Sequence, residues 1–332
     1  MSSTSPSASP PPPESATPPA PPLNEFELIR LLTRRLPGND TVVTGPGDDC
    51  AVLDLGVPGQ LVLFKTDAVV EGVHFTREAA PARVGHKALA RALSDIAAMA
   101  GTPTAAVVTL GLPPGFDPAF VTALYDGLNA LAARHGVAVV GGETTTSPDR
   151  VFLSIAILGT VPRERCIGRA GAQPGDALFV TGELGGSIEG RHLDFEPRLA
   201  EARWLAGQVP IHAMIDLSDG LAGDLPHLLE PAGLGAELLK EAIPVSRAAR
   251  RRAQAGDAAK PAVLAALTDG EDFELLLAVA SRDAVPLLDA WKQRFPGERL
   301  TCIGRVTAQP GLRLRDRDRL LPFTGHGYVH FS

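Results

Sequence analysis

QLVLFKTDAVV (residues 60–70) and VGHKALARALSDIAAMA (residues 84–100) decide the fold. The first reads as a continuous apolar strand that ends abruptly at Asp67. The second carries apolar residues at helical spacing and is closed by Gly101, so it predicts a helix over 84–100. Upstream, GPGDDCAVLDL (45–55) is a Gly/Pro turn leading into a strand. NEFELIRLLTRRL (24–36) has Phe26, Leu28, Ile29, Leu31, Leu32 and Leu36 near helical spacing, with Asn24 as N-cap. Downstream, Thr104–Leu110 is a strand, and Asp117-Pro118 is an N-cap with proline at the first helical position, opening a helix to Gly136. VAVV (137–140) and VFLSIAILGTV (151–161) are further strands. The order β-β-α-β-α-β-β mixes hairpins with crossovers, which is an α+β pattern.

GRAGAQPGD (168–176) is a turn-rich break, and the chain divides near it into 23–165 and 166–332. The second part alternates strands (ALFVTGEL, AMIDLSDG, FELLLAV, TCIGRV and the terminal GYVHF) with a helix over Leu221–Leu229, a second α/β domain. Residues 1–22 are a Ser/Pro/Ala tract without large apolar side chains and are expected to be disordered.

The remaining composition excludes several classes. Of 332 residues, 31 are Lys or Arg and 38 Asp or Glu, a net charge of −7 that argues against a nucleic-acid binder. Arg250-Arg251-Arg252 and RLRDRDR (313–319) read as solvated surface. No apolar run reaches the roughly 18–20 residues needed to cross a bilayer, and the start lacks a basic flank and an apolar h-region. A cytoplasmic location is expected. Cys50, Cys166 and Cys302 are too few and too scattered for a disulfide frame or a zinc site.

Carboxylates recur beside glycine or small polar residues at strand ends: Gly47-Asp48-Asp49, Thr66-Asp67, Gly142-Glu143, Asp216-Leu217-Ser218-Asp219 and Gly270-Glu271-Asp272. Any one of these reads equally well as a turn. Five in one chain point to a site for hard divalent cations, which take oxygen ligands and bridge carboxylates to phosphate oxygens. There is no GxxxxGK[ST] loop and no protein-kinase motif set.

GPGDDCAVLD (45–54), KTDAVVEGVHF (65–75), KALARALSDIAAMAG (87–101), GGETT (141–145), GRAGAQPGDALFVTG (168–182), IDLSDGLAGDL (215–225) and DGEDFELLLAV (269–279) occur in the order found in thiamine-monophosphate kinase. The chain resembles that family from about residue 24 onward. The family shares an ATP-binding superfamily with aminoimidazole ribonucleotide synthetase and selenophosphate synthetase. The resemblance implies two α/β domains with ATP between them, and a homodimer whose N-terminal domains form a shared barrel. It implies metal ligation by Asp49, Thr66, Asp67, Asp95, Glu143, Asp216 and Asp219, with Asp67, Asp216 and Asp219 catalytic. Gly142, Glu143, Arg169 and Ser218 fall at ATP-binding positions, and Tyr125 near the nucleotide. His74, Glu271 and Tyr328 fall where thiamine monophosphate is bound. Glu143 departs from the family's usual aspartate. Asp95 has a rival reading, an i,i+4 ion pair with Arg91.

The implied reaction is Mg²⁺-dependent, in-line transfer of the ATP γ-phosphoryl group to thiamine monophosphate, giving thiamine diphosphate and ADP. Selenophosphate synthetase would carry a reactive Cys or Sec near its N-terminus, and no cysteine precedes Cys50. EGVHF and GEDFEL point to the thiamine branch rather than to aminoimidazole ribonucleotide synthetase. A non-catalytic nucleotide- or metal-binding protein, or an acidic structural protein, are the readings of another class.

Overall fold

The structure, a computed structural model, describes residues 25–255 and 260–328. The Ser/Pro tract at 1–22, the Asn24 cap and residues 329–331 of the GYVHF segment lie outside the described residues. The chain divides into two units, Met1–Leu36 with Val329–Ser332, and Pro37–Tyr328. In the first, α1 spans Glu25–Thr33, the helix expected from the apolar spacing, and the Thr33 hydroxyl donates to the Ile29 carbonyl at 2.8 Å.

The second unit holds two sheets. Its first half runs β1 (Val42–Thr44), β2 (Ala51–Leu53), β3 (Gln60–Val70), α2 (Pro81–Ala98), β4 (Thr102–Leu112), α3 (Pro118–His135), β5 (Ala138–Thr146) and β6 (Phe152–Pro162). Its second half runs β7 (Ala177–Thr181), α4 (Leu199–Leu205), β8 (Ile211–Asp216), α5 (Leu221–Leu229), β9 (Gly235–Leu239), α6 (Arg247–Gln254) and α7 (Ala262–Thr268). It ends with β10 (Leu275–Val279), α8 (Ala284–Arg294), β11 (Leu300–Thr307), β12 (Gly311–Asp316) and β13 (Arg319–Pro322). The first sheet has the order β1-β2-β3-β6-β4-β5 and the second β13-β12-β9-β11-β7-β10-β8. Each sheet is antiparallel except for one parallel pair, β4 with β5 and β12 with β9. The expected mixture of hairpins and crossovers is therefore present: α3 carries the crossover from β4 to parallel β5.

Asp117 and Pro118 start α3 as expected, the Asp117 carboxylate accepting from Ala119 N at 2.9 Å, and Gly136 closes it at φ 68. Two expected strand limits near the site need correction. β3 does not end at Asp67; it pairs with β6 through Val70, with Asp67 opposite Ile155. VAVV is only the start of β5, which continues through Gly141-Gly142-Glu143 to Thr146 alongside β4. In both places polar residues extend a strand because the neighbouring strand supplies the ladder, which local composition does not reveal. Among the described residues of GYVHF, Gly327 and Tyr328 form no strand, and RLRDRDR builds the β12–β13 hairpin.

β3 alternates strictly. Leu61, Leu63 and Val69 are buried beneath α2, and Lys65 and Asp67 share that covered face. α2 is buried nearly all round, lying against the first sheet, α3 and β8. Its approach to α3 depends on glycine. A Cβ on Gly85 would sit 1.9 Å from the Leu124 carbonyl oxygen, and one on Gly127 would sit 1.8 Å from that of Ala82. One apolar core runs from the first sheet through Leu89, Leu93 and Ile96 to Phe179, Met214 and Leu277 of the second. The opposite face of the second sheet (Val180, Ile215, Leu276) packs on α5 and α7.

Candidate active site

Three elements meet at one point. Asp49 lies in the turn before β2, Asp95 in the last turn of α2 and Asp216 at the end of β8. All three are buried, and each offers a carboxylate oxygen within 4.8 Å of the others. Two like charges about 5 Å apart repel by about 3 kcal/mol at an effective dielectric of about 20, so the cluster needs compensation. Lys65 meets Asp95 at 2.9 Å, Arg169 meets Asp49 at 2.6 Å, and the Ser94 hydroxyl donates to Asp216 at 2.6 Å. Two cations against three carboxylates leave negative charge over. Burial pushes the Asp216 carboxyl up to about 6, with the Asp49 charge adding to the effect. Burial also drives Asp95 well above the carboxylate range, against the pull of Lys65. Lys65 and Arg169, though partly buried, are held more firmly protonated than usual by Asp95 and Asp49 respectively.

A hard divalent cation fits these residues. The donors are all carboxylate oxygens. Asp49 Oδ2 is buried and has no hydrogen-bond partner among the described residues, a state that is costly unless a cation serves it.

A second cluster flanks the first. Asp67 is clasped by Arg91, whose Nε and Nη2 donate at 2.8 and 3.1 Å. Burial alone would raise the Asp67 pKa, but the Arg91 charge and hydrogen bonds hold it below the usual carboxylate range. Arg91 therefore pairs with Asp67, and Asp95 pairs with Lys65; no Arg91–Asp95 ion pair occurs among the described residues. Glu271 reaches α2 from the second half, meeting Lys87 at 2.7 Å, Arg91 at 3.4 Å and His192 at 3.0 Å. Burial opposes its ionisation, yet the His192 hydrogen bond and the Lys87 and Arg91 charges bring it down to about 2. His74 Nδ1 accepts from Val70 N at 3.1 Å, and burial with the Arg91 charge lowers its pKa to about 4. The ring is neutral at pH 7 with its proton on Nε2, a hydrogen-bond donor.

The other positions named from sequence are spread around these clusters. Asp219, in the turn between β8 and α5, binds Asp224 Oδ2 through its main-chain N–H at 3.0 Å and accepts from Tyr328 N at 2.9 Å. Asp219 is outside the three-carboxylate group, but its charge joins burial in raising the Asp224 pKa. The Ser218 carbonyl accepts from Glu271 N at 2.6 Å, and the Tyr328 residue is 50% exposed beside this turn. Thr66 is placed on the opposite face of β3 from Asp67, its hydroxyl 3.2 Å from that of Ser154. Glu143 is exposed on edge strand β5 and stands outside the three-carboxylate group. Gly142 has φ 155, and a Cβ there would lie 1.9 Å from the Val108 carbonyl oxygen, so strand packing alone demands glycine. Tyr125 is half-buried on α3 against the main core.

Residues 47–161 match the AIR synthase related protein N-terminal domain, and 173–317 match the corresponding C-terminal domain. Thiamine-monophosphate kinase of Rhodopirellula baltica is 39% identical over 315 residues, 91% of this chain and 95% of that one. The chain belongs to the thiamine-monophosphate kinase family. The Salmonella typhimurium member is 35% identical, covering 93% of this chain and 98% of its own. A solved structure of AaThiL complexed with AMPPCP and TMP superposes with a TM-score of 0.79 at 29% identity, over 96% of this chain and all of that one (100%).

Several groups escaped the sequence reading. Lys65, Ser94 and Arg91 complete the carboxylate clusters, and Lys87 and His192 hold Glu271. The alternation of Lys65 with Asp67, and the helical spacing of Lys87, Arg91 and Asp95, were available signals. His192 and Asp224 gave none. Cys50, Cys166 and Cys302 are unbridged, Cys50 buried and the other two partly so. Among the described residues no helix is long and apolar enough to cross a membrane.

Proposed function

We propose that this chain is an ATP-dependent thiamine-monophosphate kinase, transferring the γ-phosphoryl group to the phosphate of thiamine monophosphate to give thiamine diphosphate and ADP. The observation that carries the reading is the convergence of Asp49, Asp95 and Asp216, from three distant segments, at one buried point in a chain of this family.

The acceptor needs no general base. A phosphate monoester has its second pKa near about 6, so its attacking oxygen is already anionic at pH 7. The acceptor oxygen attacks the γ-phosphorus while the bond to ADP breaks, and no proton moves. The difficulty is bringing two anions together. Mg²⁺ held by Asp49, Asp95 and Asp216 would supply the neutralising charge. Asp67, Asp219 and Glu143 are proposed to complete the metal-binding surroundings, with Asp67, Asp216 and Asp219 the carboxylates essential to catalysis; the Thr66 hydroxyl, on the outer face of β3, stands apart from them. Arg169, fixed by Asp49, offers its guanidinium to the nucleotide phosphates, with Ser218, Gly142 and Glu143 as further ATP contacts. His74, through Nε2–H, and Glu271 and Tyr328 orient thiamine monophosphate. The Glu271 carboxylate is ionised throughout the working range. In this reading the first half (23–165) supplies Asp49, Asp67 and Asp95, and the second (166–332) supplies Asp216, Asp219 and Glu271. The enzyme is assigned to the cytoplasm, where ATP is available.

The same reading includes a homodimer. The outer face of the first sheet presents Val62, Phe64, Thr66 and Ala68 on β3, Ser154, Ala156, Leu158 and Thr160 on β6, and Ala105, Val107 and Thr109 on β4. No charge occurs in that set. Phe64, Leu158 and Val107 stand 45%, 40% and 39% exposed, and Phe64 pairs directly with Leu158. Apart from Glu143, beside Thr109 on edge strand β5, this face is uncharged, and among the described residues nothing covers it, which suits a second copy of the same face, the arrangement of a shared barrel.

Incubation with Mg-ATP and thiamine monophosphate is expected to give thiamine diphosphate and ADP in equal amounts by chromatography. EDTA is expected to stop turnover and excess Mg²⁺ to restore it. ATP consumption without thiamine diphosphate, or turnover undiminished by EDTA, would contradict the reading.

A further inference from the structure

We propose that Lys87 is a positioning residue for the acceptor substrate, fixing the side chain of Glu271 and the backbone of His74 so that the two halves of the molecule present one substrate surface. This rests on the reading above that His74 and Glu271 contact thiamine monophosphate.

The Lys87 side chain is 0% exposed. Lysine is rarely enclosed so fully unless every donor is used, because an unpartnered ammonium loses its hydration without return. Here the ammonium is surrounded by polar atoms from three separate segments, two of them acceptors. Nζ donates to the His74 carbonyl at 2.5 Å, lies 2.7 Å from His192 Nδ1, and donates to the Glu271 carboxylate at 2.7 Å. The enclosed ammonium leaves no exposed side for a ligand, so Lys87 acts through its partners.

The Glu271 end is conformationally unusual. Glu271 and Phe273 both have left-handed backbones, φ 64 and 50, which residues with a Cβ seldom adopt. Such angles persist only where the surroundings over-determine them. Main-chain bonds from Glu271 N to Ser218 O (2.6 Å) and Phe273 N to Leu217 O (2.7 Å) fix the loop, and Arg191 Nη1 donates to Asp272 O at 2.8 Å. The strained backbone turns the Glu271 side chain toward α2. Lys87 and Arg91, one helical turn apart, receive it there. The ammonium also grips the loop that carries His74, thirteen residues earlier in the chain. Removing it frees both substrate groups while leaving the Asp49, Asp95 and Asp216 cluster untouched.

The test is initial-rate kinetics on the full chain for wild type, Lys87→Met, Glu271→Gln and the double variant, varying thiamine monophosphate and ATP separately. Lys87→Met is expected to raise KM for thiamine monophosphate about ten-fold, with KM for ATP changed less than about two-fold. In the Glu271→Gln background, Lys87→Met is expected to add less than about two-fold, because the lysine acts through that carboxylate. Equal losses on both substrates, or multiplying effects in the double variant, would overturn the proposal. If Glu271→Gln leaves KM for thiamine monophosphate unchanged, the substrate-contact reading fails and the proposal falls with it. If Glu271→Gln raises it and Lys87→Met does not, the proposal alone fails. Lys87→Gln, which keeps donors without the charge, is read by the same criteria should Lys87→Met not fold. Failure of both to fold would mark the lysine as purely structural and overturn the positioning role.

Discussion

Replacing Asp216 by asparagine is expected to lower kcat by about 1,000-fold, equivalent to about 4 kcal/mol of lost charge stabilisation, and to raise the melting temperature of the metal-free protein at pH 7.5. The two effects share one cause. Asp216 is buried beside Asp49 and Asp95, and its folded pKa of about 6 lies above the ordinary 3.8. The folded chain therefore binds that proton more tightly than the unfolded chain does. The stabilising contribution is complete below pH 3.8 and is lost as pH rises through about 6. At pH 7.5 the ionised carboxylate destabilises the metal-free fold by roughly 1–3 kcal/mol, once the Ser94 hydrogen bond that asparagine can partly keep is allowed for. Asparagine removes that penalty and with it the cation site. Calorimetry without metal should show the variant melting higher than wild type at pH 7.5 and at the same temperature near pH 4. Mg²⁺ should raise the wild-type melting temperature and leave the variant unmoved. A variant that melts lower at pH 7.5, yet still responds to Mg²⁺, would show that Asp216 serves only to bind Ser94.

Leu158→Asp is expected to convert a dimer into a monomer. Leu158 faces Phe64 across the β3–β6 pair on the outer surface of the first sheet, among uncharged residues of β3, β4 and β6. An ionised carboxylate buried there without a partner would cost ~5 kcal/mol or more, which weakens association by about 10⁴-fold. Sedimentation velocity at micromolar concentration should give twice 34.7 kDa for wild type and 34.7 kDa for the variant. The exposed position makes the effect on folding small, since among the described residues nothing covers the Leu158 side chain fully. A monomeric wild type, or a variant that stays dimeric, would remove the homodimer from the account.

The sequence was legible where structure is local. Asp117-Pro118 marked the start of α3, Gly136 its end, and Leu221–Leu229 its helix, because caps and helical spacing act within a few residues. It was misleading where a neighbouring strand decides. Asp67 and Gly141-Gly142-Glu143 looked like strand ends, yet β6 and β4 carry the ladder past them. The site was legible in part for the same reason. Carboxylates beside glycine announced Asp49 and Asp216, and the family resemblance supplied Asp95. The cations that make such a cluster tolerable, Lys65, Arg91 and Lys87, sit on strand and helix faces whose direction only the assembled fold reveals. Thr66 shows the converse: adjacent to Asp67 in sequence, it lies on the other side of the sheet.

Asp49, Asp95 and Asp216 are proposed to hold a divalent cation that brings the two phosphates together. Crystals grown with Mn²⁺ and a non-hydrolysable ATP analogue, measured near the manganese absorption edge, test it directly. The account predicts an anomalous difference peak bounded by these three carboxylates. Fully ordered nucleotide with no manganese at that position would contradict it.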